Sequence, residues 1–264
     1  MRYIAMLDTL ILSVTISLLI QFGLWVYAVK NDNASWVDFG WSCGMAVSGL
    51  VILLTTPVSV RSVAVSVLFM GWALRLASHI LFDRLLKGKP EDTRYQNLRE
   101  HWGKRANAHF LWFFLAQALL VGLFMLPPLT VANRAGDAPD LFDLLGILIA
   151  LFSIAGESLS DHQLAKFRAD SSTKGTVCKR GFWKYSRHPN YFFEWLHWTG
   201  YVVMAVGSSL WFLTLVGPVF MYIFLRYVTG VPHAERQSLK SRGDAYRDYQ
   251  QTTSVFFPWI PHRS

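Results

Sequence analysis

The run Arg187-His188-Pro189-Asn190-Tyr191-Phe192-Phe193-Glu194-Trp195-Leu196-His197-Trp198-Thr199-Gly200-Tyr201 ends a basic segment and begins an apolar one. Pro189 suits the first turn of a helix, where its missing N–H is not needed. On that helix Asn190, Glu194, His197 and Tyr201 fall at i, i+4, i+7 and i+11 and share one stripe. The remaining positions are aromatic or aliphatic. A carboxylate at membrane depth costs roughly 2.5 kcal/mol or more, so it turns toward a cavity or a partner and marks a candidate site.

Working outward, the same pattern of apolar runs fills the chain. Of 264 residues, 53% are hydrophobic and 16% charged. A soluble domain carries about 25% charged residues, so this composition argues for membrane helices. Charge-free or nearly charge-free runs cover residues 9–29, 37–55, 62–82, 109–131 and 141–160. Residues 195–225 form a run of 31 residues, or about 46 Å as one helix, against a roughly 30 Å hydrocarbon core. Gly207-Ser208-Ser209 offers a turn within it, which makes seven spans. Residues 83–108 and 161–189 read as polar, basic loops, and 228–264 as a polar tail with interfacial Tyr and Trp.

Charge placement tests this layout. The loops on one side, with the tail, hold 20 Lys and Arg, and the other side holds three, Arg2, Arg61 and Arg134. The positive-inside rule puts the N-terminus outside and the C-terminus in the cytoplasm. Fusing the last two spans would move the basic tail outside, so the charge count supports the split. The net charge of +8 is therefore topological and headgroup-facing, with no nucleic-acid partner implied. Arg2 makes a thin basic region and no A-x-A site follows, so the first run is expected to be a span and not a signal peptide. Cys43 and Cys178 form neither a CxxC pair nor a Cys/His ligand spacing, so no disulfide framework and no metal site is expected. The expected fold is an all-α integral membrane protein forming a single membrane domain. Residues before about 135 and those of about 141–264 are expected to form its two halves.

Polar residues gather at the cytoplasmic ends of the spans. Asp38 opens the second. Arg75, His79 and Asp83 repeat at i, i+4 and i+8 on the third. Glu157, Asp161 and Arg168 follow the fifth, and the Asn190 stripe opens the sixth. Each has a structural reading beside the functional one. Arg75 could snorkel or pair with Asp38 or Asp83. Glu194 and His197 could join helices to each other. The basic loops could serve lipid headgroups alone. His188 could be a plain loop residue, Tyr246 and Tyr249 interfacial anchors, and His233 and Glu235 could cap a short helix.

The stretch R-H-P-N-Y-x-x-E-W, followed by Gly230…His233-x-Glu235…Tyr246-x-x-Tyr249-x-x-x-Thr253, resembles the steroid 5-alpha-reductase superfamily, and most closely its bacterial membrane branch. The likeness is clearest from about residue 155 onward and is weaker over 38–95. It implies a seven-helix membrane enzyme that reduces a carbon–carbon double bond with NADPH. The substrate would be a hydrophobic small molecule, a lipid or steroid-like enone. The resemblance carries a nicotinamide-amide role onto Asn190 and Glu194. It carries ribose or phosphate contacts onto Asp161, Arg168 and His188, and cofactor contacts onto His233 and Glu235. No G-x-G-x-x-G follows a strand, so phosphate charge must be met by side chains, for which Lys166, Arg168, Lys174, Lys179, Arg180 and Arg187 are candidates. Tyr249 joins the cofactor set.

Two departures stand out. Phe193 occupies a position where the superfamily pattern has glycine. The proton-donating Glu/Tyr pair of the reductases has no plain match. Asp38 and Arg75 lie near the corresponding places, with Tyr95 as a loop alternative, and these three form the catalytic set. R-H-P-x-Y also occurs in S-adenosylmethionine-dependent membrane methyltransferases resembling the isoprenylcysteine carboxyl methyltransferases. That is the alternative reading, with Glu235 as the later glutamate. A cationic cofactor would favour carboxylates and aromatics over seven basic residues in one loop. A non-enzymatic transporter would call for internal repeats, and none is visible.

Overall fold

Helix boundaries follow local chemistry. The computed structural model describes residues 2–88, 90–136 and 138–262, the side chain of Arg2 excepted. Lys89 and Arg263, which entered the charge count, lie outside the described residues. Helix α1 spans Arg2–Lys30, α2 Trp36–Thr55 and α3 Val60–Ile80. Ser59 caps α3 in a reciprocal box: its hydroxyl accepts from Ser62 N at 3.1 Å, and Ser59 N donates to the Ser62 hydroxyl at 2.9 Å. A π turn, Leu81–Leu85, prolongs α3. The loop expected over 83–108 contains a polar helix, α4 (Thr93–Trp102), capped by Asp92. Helix α5 spans Ala106–Phe124 and stops at Met125. Helix α6, Leu126–Ala132, restarts with prolines in its first turn, where they are tolerated.

Helix α7 runs Leu141–Ala169, longer than the span expected to end near 160, and carries Asp161 and Arg168 on continuous helix. Helix α8 is Pro189–Met204. The long apolar run breaks where expected, at a turn closed by Ser208 N to Ala205 O (2.8 Å), with Gly207 at φ +88°. Helix α9 spans Val216–Ile223, and a π turn follows it. The tail forms α10 (Val231–Arg242) and α11 (Asp244–Thr252). No strand occurs among the described residues. Six helical runs among them are long and apolar enough to cross a membrane: Tyr3–Lys30, Trp36–Thr55, Val60–Leu85, Thr93–Ala132, Leu141–Ala169 and Trp211–Arg242. Helix α8, at 16 residues, falls short of that length. The chain is an all-α protein whose long apolar helices are those of an integral membrane protein.

The residues form two compact units. The first takes the chain through Leu144, together with Met204–Val216. Its helices pack through small residues. Gly40 faces Gln21, Gly44 faces Ser17, Gly49 faces Met70 and Gly122 faces Val14, each too close to admit a Cβ without displacement. Lipid gives helices no hydrophobic reason to associate, so close backbone approach and buried polar side chains do that work. Thr9, Ser13, Ser17 and Gln21 accordingly form a fully buried stripe on α1. At one end of this unit Arg61, 4% exposed, grips Asp143 through Nε–Oδ1 and Nη2–Oδ2 contacts of 2.8 Å each. It also donates to the carbonyls of Gly136 and Ala138. Arg134 binds Asp140, Asp143 and the carbonyl of Met204. Two arginines counted as topological charge thus also clamp a loop.

The second unit is Leu145–Val203 with Gly217–Ser264. Helices α7 and α8 meet closely: a Cβ on Gly200 would lie 2.8 Å from Gly146 O, and one on Gly156 would lie 2.4 Å from the Phe193 ring. The ring where glycine is expected is therefore seated over a glycine of the neighbouring helix. The tail folds back on the 181–188 segment through Arg187 N to Ser254 O (2.8 Å), Ser186 Oγ to Phe256 O (2.8 Å) and Trp259 N to Tyr185 O (2.9 Å).

Candidate functional site

In the first unit, Asp38 sits in the first turn of α2 and Tyr95 in the first turn of α4. Asp92 starts α4 at the position that sets the direction of Tyr95. The Tyr95 hydroxyl, on a residue 3% exposed, donates to Asp38 Oδ1 at 2.7 Å. Arg94 Nη2 donates to Asp38 Oδ2 at 2.8 Å, and Arg84 Nη1 lies 3.5 Å from the same oxygen. Arg84 and Arg94 also hold Asp92, at 2.8 and 3.0 Å. Burial pushes the Asp92 carboxyl up, but hydrogen bonds from Arg94 and the charges of Arg94 and Arg84 outweigh it and bring the pKa down to about 2. The Arg94 guanidinium stands 5.1 Å from the centroid of the Tyr95 ring. Two of the three expected catalytic residues, Asp38 and Tyr95, are thus brought together. Arg75 is half-buried on α3, one turn before His79, which itself pairs with Asp83 at 3.0 Å. Sequence reasoning missed Arg84, Arg94 and Asp92. The π turn places Arg84, and the Asp-x-Arg-Tyr run that opens α4 is the signal that could have found the other two.

In the second unit, the α8 stripe forms as expected. Glu194 is 7% exposed, His197 and Tyr201 are fully buried, and His197 Nε2 and the Tyr201 hydroxyl are 2.9 Å apart. Asn190 Nδ2 donates to Asp161 Oδ1 at 3.1 Å. That bond fixes the orientation of the amide, because a carboxylate only accepts. Asn190 Oδ1 is buried and has no hydrogen-bond partner among the described residues. A buried acceptor left open in this way costs free energy and asks for a donor.

The remaining expected cofactor residues divide. Arg187 is committed to structure: Nε reaches Glu235 Oε1 at 2.7 Å, and Nη1 reaches the carbonyls of Gln250 and Thr253 at 2.9 and 2.7 Å. Glu235 also accepts from Gln250 at 2.9 Å. The Tyr249 hydroxyl donates to the carbonyls of Trp183 and Ser186, and Lys179 Nζ sits 5.7 Å from its ring. His188 stacks on Tyr191 at 5.3 Å, with Nε2 3.5 Å from Glu235 Oε1. That gap is too long for a good hydrogen bond. Burial lowers the His188 pKa more than Glu235 raises it, so the ring is neutral at pH 7. His233 lies half-buried in the first turn of α10, two residues before Glu235. Arg168, near the end of α7, lines a cleft with Lys174 and Arg242, the last of which sequence reasoning left as tail charge.

The donor set of this unit fits a dinucleotide. Asn190 Oδ1 is an open acceptor for an amide N–H, and the cations of the cleft suit phosphate oxygens. A family model for proteins of unknown function, DUF1295, matches residues 24–253. The chain belongs to the DUF1295 family. The match takes in the Asp38–Tyr95 pair, the α8 stripe and the cleft. No curated protein and no solved structure matches the chain.

Proposed function

We propose that this DUF1295 protein is a membrane oxidoreductase of the steroid 5-alpha-reductase superfamily, reducing a carbon–carbon double bond of a hydrophobic enone, a lipid or steroid-like molecule, with NADPH. The observation that carries the reading is the buried Tyr95 phenol bonded at 2.7 Å to Asp38. It is a carboxylate–phenol pair of the kind the reductases use, assembled from residues 57 positions apart. NADPH, when bound, supplies the hydride to the β-carbon. Asn190 and Glu194 would hold the nicotinamide amide, with Asp161, His188 and Arg168 along the rest of the dinucleotide. Tyr95 turns its one O–H from Asp38 to the substrate oxygen as enolate charge develops there, and Asp38, held by Arg94 and Arg84, places the phenol oxygen. Preorganised donors of this kind act most strongly where water is excluded. Arg187, Glu235 and Tyr249 support this site by fixing the segment that carries His188.

The reading includes seven crossings, α8 counted among them. Its 16 residues span about 24 Å, short of the core unless the bilayer thins or the neighbouring turns complete the crossing. The 20-to-3 distribution of Lys and Arg supports an outside N-terminus, a cytoplasmic C-terminus and a cytoplasmic cofactor side. The methyltransferase alternative draws no support from Glu235, whose carboxylate is already paired with Arg187.

Cofactor binding to detergent-purified protein is the direct test. A ligand at 100 times its Kd stabilises by about 2.7 kcal/mol, which a thermal shift resolves. NADPH is expected to raise Tm, and S-adenosylmethionine is expected not to. The opposite pattern overturns the proposal.

A further inference from the structure

A cleft of about 310 Å³ opens on the second unit, at the low end of the roughly 300–1,000 Å³ range of ligand pockets. Its walls are the end of α7, residues 170–176 and Arg242 at the end of α10. Arg168, Lys174 and Arg242 line it, against one carboxylate, Asp170. Asp170 is already engaged, because its Oδ1 accepts from Ser172 N at 2.9 Å and from the Ser172 hydroxyl at 2.6 Å. Among the described residues, none of the three cations is ion-paired to a carboxylate.

Arg242 is held in place. Its Nε donates to Thr176 O at 2.9 Å, and Nη1 lies 3.4 Å from the Ser241 hydroxyl. That bond ties α10 to the loop that forms the opposite wall, where Gly175 makes the turn at φ +82°. Arg168 and Arg242 line the same cleft, and their like charges oppose each other. Two guanidinium groups in one cleft repel, and Asp161 offsets that at Arg168 by less than Arg242 adds. A dianion between them turns the repulsion into two charge-assisted contacts. Guanidinium forks match the geometry of phosphate oxygens, and the ammonium of Lys174 adds a movable third charge.

We infer that this cleft is a phosphate-monoester site, clamped by Arg168 and Arg242 and completed by Lys174. A monoester fits better than a diester, because it carries about −1.5 to −2 charge at pH 7 and three strong acceptor oxygens. Two sources share that chemistry, the 2′-phosphate of a bound dinucleotide and the headgroup of phosphatidic acid in the adjoining bilayer. The first rests on the proposed cofactor, and the second does not.

The test uses the full chain in phosphatidylcholine nanodiscs. Binding of adenosine 2′,5′-bisphosphate and of adenosine 5′-monophosphate is measured calorimetrically. Melting temperature is compared with and without phosphatidic acid in the disc. Lys174→Gln, an exposed change that breaks no hydrogen bond, and Arg242→Gln are run beside the wild type. The 2′-phosphate source predicts a bisphosphate preference that each variant weakens by roughly tenfold, the size of one charge-assisted hydrogen bond. Retained NADH binding with this loss confined to 2′-phosphorylated ligands also supports it. The lipid source predicts no preference between the nucleotides, and a phosphatidic-acid stabilisation present in the wild type and lost in both variants. That result keeps the cleft while removing its link to the cofactor. If Lys174→Gln leaves nucleotide binding and lipid stabilisation unchanged, the inference fails, even if NADPH still binds elsewhere in the unit.

Discussion

The Asp38–Tyr95 group and the cationic cleft are built on opposite principles. In the group around Asp38 each charge has an answer: Asp38 receives Tyr95 on one oxygen and Arg94 and Arg84 on the other, and Asp92 balances both arginines. In the second, Arg168, Lys174 and Arg242 have no ion-pair partner among the described residues, and Asn190 keeps a buried oxygen without a partner among them. A closed network holds its members in one geometry, which is what a directed hydrogen-bond donor needs. An open set of charges is costly until a ligand arrives, which is what a binding surface needs. The first region is expected to govern turnover and the second affinity.

The strongest way to break that contrast is Tyr95→Phe. It keeps the ring packed against Phe110 and Phe113 and removes only the hydroxyl. For an enone lipid that the wild type reduces with NADPH, turnover is expected to fall by roughly 10²- to 10⁴-fold, the range for a positioned proton donor. NADPH affinity should be unchanged. A matching loss of affinity would mean that this region binds cofactor, and the division of labour collapses.

A smaller effect separates two roles for Glu194, a residue of the α8 stripe. Glu194→Gln keeps shape but replaces a carboxylate acceptor with a mixed group. If it holds the nicotinamide amide, NADPH affinity drops about 10- to 150-fold, from about 1.5–3 kcal/mol for a hydrogen bond to a charged group. If it only joins helices, apo-protein Tm falls and affinity stays. Measuring both on one sample decides between them.

The sequence carried the α8 stripe well, because helical spacing alone fixes which residues share a face. It also carried the break at Gly207, since 31 apolar residues are too long for one crossing. It did not carry the Asp38–Tyr95 bond. The two residues lie 57 positions apart, and Tyr95 sits in a stretch whose polarity reads as loop, although Asp92 is a recognisable N-cap. Nor did it reveal Arg61, since a buried clamp and a topological charge look the same in one dimension. Phe193 is a ring where the superfamily pattern has glycine, and its seat is visible only in the fold: Gly156 supplies the space from another helix. Arg242 was hidden for a related reason, because its significance depends on the 170–176 loop folding against it.

The smallest expected effect is on stability against pH, and it sets the two regions side by side in one measurement. His188 has an ordinary pKa of 6.5, lowered in the fold mainly by burial. The unfolded chain therefore binds the proton first, so the stability His188 contributes is complete above 6.5 and is lost as pH falls through its lower folded value. Asp92 moves from 3.8 to about 2. Its contribution, roughly 2 kcal/mol at most, is complete above 3.8 and fades as pH falls toward 2. Melting temperature should thus decline in two acid steps, the first from the second unit and the second from the first. His188→Gln is expected to flatten the decline that begins below 6.5 and to leave the later one. Asp92→Asn, which keeps an acceptor for the cap of α4, is expected to do the reverse. A single variant that abolished both steps would show that the two networks titrate together, and the contrast between a closed and an open region would have to be given up.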